Sequence, residues 1–319
     1  MKQCMLFAVC LLGLYLDVVA GVYRHDVPKK SYTDLAAKPQ FDCVGQVLSY
    51  DKEKMKQSGA MTIRQSGKNM VLQGSCVLIG DRYVLSAAHV FMDAEYRKDT
   101  TTINGHQAIV HNLVRSWLGK PAGYYFRFNG KQYQGQSIVV FPGYTDPGSK
   151  ERFDLAVVTL AEPVKDIIPA TLGTATDELH TRVIGVGYGA SGIASKPEDV
   201  HAAGEKIAGE NMVDELAGQP YKGNQSLMKC DFDRPLQEMD CNKCGDGQPL
   251  PLEYVSTGGD SGGGLFRQNA DKWELIGILS GGGTDIDQLL RTGYYGQTML
   301  WTRVSLFHHW IMEQMNRSK

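Results

Sequence analysis

Neither sign of charge is in excess in this chain. Lys and Arg together number 33 against 35 Asp and Glu, a formal net charge of −2 with a sequence pI near 6.4. No run of like charges stands out, so neither a nucleic-acid-binding surface nor a charged tail is indicated. Long hydrophobic runs are missing too. The one candidate, Met5 to Leu16, is shorter than the roughly 20 apolar residues that a spanning helix needs. It follows Lys2 and gives way to Val18-Val19-Ala20. This pattern predicts a secretory leader over residues 1–20, cut after Ala20, and hence an exported protein with no membrane span. Metal-ligand spacing is also scarce. Cys241-Asn242-Lys243-Cys244 has no second CxxC and no HxxxH partner, and no acidic loop has calcium-site spacing. Neither a metal nor another cofactor is expected.

Cysteine itself is sparse, seven in 319 residues. Cys4 and Cys10 would leave with the leader, so Cys43, Cys76, Cys230, Cys241 and Cys244 remain. An exported chain permits disulfides, but an odd number leaves at least one thiol free or paired between chains. A local bridge from Cys230 to Cys241 or Cys244 is expected. Cys76 is either free or paired with Cys43.

What the chain does have is glycine, 36 residues of it, and many short β-rich runs. Val44–Leu48, Val71–Ile79, Tyr83–Leu85, Ile138–Phe141, Leu155–Leu160, Thr181–Val186 and Leu275–Leu279 are separated by Gly, Asp, Asn and Pro. That pattern predicts an all-β barrel or sandwich. The end differs: from Val304, apolar residues recur at Phe307, Ile311 and Met315, which predicts a terminal amphipathic helix that Ser305 would cap. Residues 21–40 read as a propeptide or an arm wrapping the barrel, and 41–319 as one catalytic domain. Within it, Phe91–Gly135 and Ala190–Leu252 show weak periodicity and read as elaborated loops.

Three segments carry chemistry. Gly258-Gly259-Asp260-Ser261-Gly262-Gly263-Gly264 surrounds a serine with residues that tolerate strained turns and close backbone approach. A serine hydroxyl needs an adjacent base and backbone N–H groups aimed at a developing oxyanion. A phosphate-binding loop is the weaker reading, because no Lys-Ser/Thr follows the glycines and no parallel βα unit surrounds them. Ser86-Ala87-Ala88-His89 delivers a histidine after an apolar strand, past two small residues. Asp154-Leu155-Ala156-Val157 opens an apolar strand with a carboxylate, which is costly to bury unless paired.

These segments, in the order His, Asp, Ser, resemble the three signatures of the trypsin-like (S1, chymotrypsin-fold) serine peptidases, over roughly Cys43 to Met315. The resemblance implies two six-stranded antiparallel β-barrels with a C-terminal α-helix. It implies Ser261 as nucleophile, His89 as general base, Asp154 orienting it, and an oxyanion hole from the N–H groups of Gly259 and Ser261. Ser280 would pack beside Asp154 and, with Gly281 and Gly282, begin the wall that binds substrate backbone. Protein or peptide substrates and protein inhibitors are the implied partners. Val255 falls at the floor of the specificity pocket and Met299 at a wall position often held by glycine, which predicts small or apolar P1 residues. Val90 stands where the family has a cysteine. No Ile-Val-Gly-Gly start is present, so Gly21-Val22-Tyr23, exposed by leader removal, is a candidate N-terminus to pair with Asp260. Two other readings compete: a catalytically silent binding protein on the same scaffold, and an α/β hydrolase, which would place its histidine after the serine.

Overall fold

A computed structural model describes residues 21–50, 62–65, 68–103, 106–144, 153–194, 196–201, 204–235, 243–245, 247–283 and 295–317. The expected leader, residues 1–20, lies outside the described residues. The chain opens with β1 (Val22–Tyr23) and α1 (Lys29–Ala36). The strands that follow are β2 (Val44–Ser49), β3 (Thr62–Gln65), β4 (Lys68–Gly80), β5 (Tyr83–Ser86), β6 (Met92–Ile103), β7 (His106–Leu118), β8 (Tyr124–Phe128), β9 (Lys131–Val140) and β10 (Ala156–Leu160). The second half contains β11 (Thr171–Leu172), β12 (Arg182–Gly187), β13 (Ser191–Ile193), β14 (Lys196–His201), β15 (Ile207–Met212), β16 (Glu215–Tyr221), β17 (Asn224–Cys230), β18 (Tyr254–Val255), β19 (Gly264–Asn269), β20 (Lys272–Gly283) and β21 (Thr298–Arg303), then α2 (Val304–Arg317).

Two rings of strands result. The first runs β2–β8–β9–β10–β5–β4 and closes through the β2–β4 ladder, a barrel of six, with β3 added outside β4. The second runs β15–β12–β19–β20–β21–β17–β16. Only Val213 and Asp214 separate β15 from β16. Ile207–Tyr221 is therefore one bent run that pairs with β12 at its start and with β17 at its end, closing a second ring of six. Closure leaves neither sheet a long open edge. The fold is chymotrypsin-like, as the sequence motifs imply. Among the described residues no helix is long and apolar enough to cross a membrane.

The apolar cores are continuous between the halves. Val77, Leu85, Phe126 and Val157 of the first barrel share one cluster with Val186, Phe266 and Ile278 of the second and with Phe307 and Ile311 of α2. The helix is anchored by aromatic contacts: the Phe307 ring lies 4.9 Å from both Phe141 and Tyr221. Ser305 does not cap this helix. It sits inside the first turn, where its hydroxyl hydrogen-bonds the buried Glu178 carboxylate at 2.5 Å.

Two other expectations need correction. The segment expected as a loop after Phe91 is mostly a long hairpin, β6 with β7, standing as its own two-stranded sheet. Ala190–Leu252 likewise contains the five strands β13 to β17. The disulfides are absent among the described residues: Cys43, Cys76, Cys230 and Cys244 are free thiols, and Cys241 lies outside those residues. Cys76 stands opposite Gly45, not opposite Cys43. Cys244 is held by its backbone N–H on the Asp231 carboxylate, and its thiol lies 4.0 Å from an Asp214 carboxylate oxygen. Burial pushes the Cys43 thiol up to about 12 and raises Cys76 and Cys230 well above the ordinary range, so all three stay neutral and inert.

Residues 21–40 lie against the second barrel. Tyr32 of α1 is fully buried, and its hydroxyl donates to the Glu253 carbonyl at 3.1 Å. Truncating Phe307 to alanine should remove the aromatic anchor of α2 and destabilise the fold by about 3–5 kcal/mol. Urea unfolding of the purified variant measures this, and a loss under 1 kcal/mol would show that the helix is held elsewhere.

Candidate active site

His89 sits in a single 3-10 turn, Ala88–Phe91, directly after β5. Ala87 and Ala88 are fully buried, and their small side chains allow the imidazole to reach across the barrel end. β10 pairs with β5 so that Ala156 faces Ser86, which brings Asp154 alongside His89. One Asp154 oxygen accepts the His89 backbone N–H at 2.9 Å, and the other meets His89 Nδ1 at 2.6 Å. Ser280 donates to that second oxygen at 2.7 Å. A β-bulge between Leu279 and Gly281 turns Ser280 inward to make this bond. Thr302 adds a hydrogen bond to the Asp154 carbonyl at 3.2 Å.

Asp154 is completely buried. Burial alone would raise its pKa, but His89 and the hydrogen bonds from His89 and Ser280 together hold it below the usual carboxylate value. A carboxylate on Nδ1 fixes the imidazole orientation and leaves Nε2 as the base. The preceding residue, Phe153, has φ of 55°, an unfavourable conformation for a bulky side chain. Its ring is wedged against Phe141, Tyr221 and Phe307, which hold the backbone where Asp154 needs it.

The serine loop is built from the other side. Gly259 and Gly262 have φ of 88° and 85°, a region open to glycine. At Gly262 a Cβ would also fall 2.1 Å from Ser86 Oγ and 2.3 Å from the Ser75 carbonyl. The N–H groups of Asp260, Gly262 and Gly263 donate to the carbonyls of Thr257, Leu279 and Asp260. Among the described residues no acceptor engages the N–H of Gly259 or of Ser261. Two unengaged N–H groups flanking a serine can bind an oxyanion. Ser261 itself is half-buried, and its Oγ engages no partner among the described residues. Gly74 brings it next to the histidine turn: a Cβ there would lie 2.6 Å from the Ser261 carbonyl oxygen and 2.9 Å from the Val90 side chain. Val90, where the resemblance calls for cysteine, thus packs on Gly74, so apolar contact and not a disulfide joins the two segments.

Asp260 is buried and points away from the serine. It accepts N–H bonds from Gly21 at 2.9 Å, Gly189 at 2.8 Å and Thr257 at 3.2 Å. Burial pushes its pKa up against these three donors. Gly187 leaves the room it needs, since a Cβ there would meet Asp260 Oδ1 at 2.2 Å.

The residues expected to line the specificity pocket fall on one side of the loop. Val255 pairs with Val22 of β1, and Met299 with Gly282. Val255 and Met299 are both fully buried in a cluster with Tyr295, Phe232 and Trp301. Met299 Sδ also accepts the Ser256 N–H at 3.1 Å. Gly281 is buried and Gly282 exposed, both on the edge of β20 nearest Ser280. Sequence reasoning missed Ser75 and Thr302. Both are small polar residues in apolar strands, a signal visible only once their distant partners are known.

Residues 74–278 match the family model described as a trypsin-like peptidase domain. The match begins at Gly74 and takes in His89, Asp154 and Ser261. No curated protein matches the chain.

Proposed function

The chain belongs to the trypsin-like peptidase domain family, and from that premise we propose that it is a secreted serine endopeptidase acting through an acyl-enzyme. The observation that carries this reading is the Ser280–Asp154–His89 hydrogen-bonded chain beside a serine whose loop presents two unengaged N–H groups. In the proposed cycle His89 takes the Ser261 proton as Oγ attacks the scissile carbonyl. The Ser261–His89 bond forms as substrate closes the site, as is common for such pairs. The N–H groups of Gly259 and Ser261 receive the oxyanion, and Asp154 stabilises the imidazolium. His89 then protonates the leaving amine, and water repeats the sequence on the ester.

Specificity follows from the filled floor. With Met299 tied to Ser256 and packed on Val255, the pocket admits small or apolar P1 side chains. Neither side chain offers a carboxylate to a basic P1 residue.

Activation follows from Asp260. Cleavage after Ala20 would convert the Gly21 N–H beside Asp260 into an ammonium, giving the buried carboxylate a full countercharge. The leader's removal would then itself hold the serine loop in its working shape, with residues 22–40 remaining as an arm on the second barrel.

Three outcomes test this reading. Ser261→Ala should lower peptide hydrolysis by on the order of 10⁶-fold with an unchanged unfolding midpoint, and retained hydrolysis would refute the assignment. A peptide-library profile should show cleavage after Ala, Val or Leu, and Met299→Gly should extend it to Phe by at least about tenfold. Cleavage after Arg with none after small apolar residues would overturn the pocket reading. Protein starting at Gly21 should show an alkaline limb, losing activity above the pKa of its ammonium. A free α-amino group titrates near 7.7–8.0 and pairing with Asp260 raises it, so the bond persists below that raised value and is lost as pH climbs through it. A chain carrying one extra residue before Gly21 should be less active and lack this alkaline limb. Equal pH profiles for the two forms would contradict it.

A further inference from the structure

Ser75 lies in β4, opposite Gln46, and is completely buried. It contacts the serine loop at two points. Its backbone N–H donates to the Ser261 carbonyl at 2.7 Å. Its hydroxyl donates to the Gly259 carbonyl at 3.0 Å and accepts the Tyr188 N–H at 2.9 Å. Its own carbonyl accepts the Ser86 hydroxyl at 2.8 Å, three residues before His89. One first-barrel residue thus grips both residues whose N–H groups are left without an acceptor among the described residues. It also reaches the second-barrel segment that holds Asp260 through Gly189.

Gly259 needs such a grip. It lacks a Cβ and has φ of 88°, so its own backbone does little to restrict it. The Asp260 N–H on Thr257 and the Ser75 hydroxyl on the Gly259 carbonyl fix the two ends of the same peptide unit. That unit joins the one carrying the Gly259 N–H at the Gly259 Cα, so fixing it removes one of the two backbone rotations that could swing the N–H from the site. Oxyanion stabilisation depends on donors already oriented before the charge develops.

We propose that Ser75 is a positioning residue for the oxyanion hole, its side-chain hydroxyl orienting the Gly259 N–H through the Gly259 carbonyl. This rests on the reading of the chain as a serine peptidase. Ser75→Ala removes the hydroxyl and keeps the backbone bond to Ser261. With the enzyme concentration set by the burst of active-site titration, kcat should fall about 10- to 100-fold while KM stays within twofold. Affinity for a peptidyl boronate with a small P1 side chain, whose adduct places an oxygen in the hole, should fall by a similar factor. Ser75→Cys keeps the size with a weaker donor and should lie between the two. A purely structural role would lower the unfolding midpoint and the titratable fraction but leave titrated kcat and boronate affinity unchanged, which would overturn the proposal. If Ser75→Ala does not fold, Ser75→Cys decides: lowered kcat at unchanged KM upholds the proposal, and unchanged kcat overturns it. A wild-type protein that neither hydrolyses peptides nor shows a burst would instead refute the peptidase reading itself, and the proposal with it.

Discussion

A carboxylate with no exposure to water lies at the seam between the two barrels, and the arrangement around it follows from the need to match its charge. Asp154 enters the core at the start of a first-barrel strand. An unpaired charge there would cost several kcal/mol, so the neighbouring groups must be donors. His89 supplies two from the first barrel, and Ser280 supplies one from the second. Thr302, also from the second barrel, secures the Asp154 backbone. The site therefore exists only when both barrels are closed and docked. The bulge at Ser280 and the strained backbone of Phe153 are local distortions that serve this match, and the aromatic cluster under α2 stabilises the second of them.

The serine loop meets the same seam from the opposite direction and obeys a steric constraint as well as an electrostatic one. Gly74, Gly187, Gly259 and Gly262 all stand where a Cβ would collide or where φ excludes most side chains. Their absence of side chains lets the loop fold down on Ser75 and Ser86 and lets Asp260 turn inward. Asp260 is a second buried carboxylate. Its donors are backbone N–H groups, one of them from Gly21 at the very start of the described chain. The proposed leader cleavage would change the character of that donor from dipole to charge, which links export to activity through one atom.

How much of this was legible in the sequence depended on how local the cause was. Asp154, His89 and Ser261 each sit in a contiguous stretch whose composition is set by its own needs: small residues before the histidine, glycines around the serine, an apolar strand after the aspartate. The terminal helix was legible from its spacing because one face is buried and the other is not. The hairpin of β6 and β7 was not, because among the described residues it pairs with no other sheet, so no second sheet imposes an alternating pattern on it. The bent run Ile207–Tyr221 hid for a related reason, its partners changing halfway along. Ser75 hydrogen-bonds a residue 184 positions away, which no local pattern records. Cysteine spacing misled outright: Cys230 and Cys244 are close enough for a bridge to be expected, but Asp231 holds the Cys244 backbone, and the thiol lies 4.0 Å from an Asp214 carboxylate oxygen.

The central claim is that Ser261 is a nucleophile activated by His89. Its most direct test is reaction of protein starting at Gly21 with a fluorophosphonate, followed by peptide mapping of the adduct. The account predicts stoichiometric labelling at Ser261, slowed by orders of magnitude in a His89→Ala variant that unfolds at the same urea concentration. Absence of label at Ser261, or equal labelling with and without His89, would contradict it.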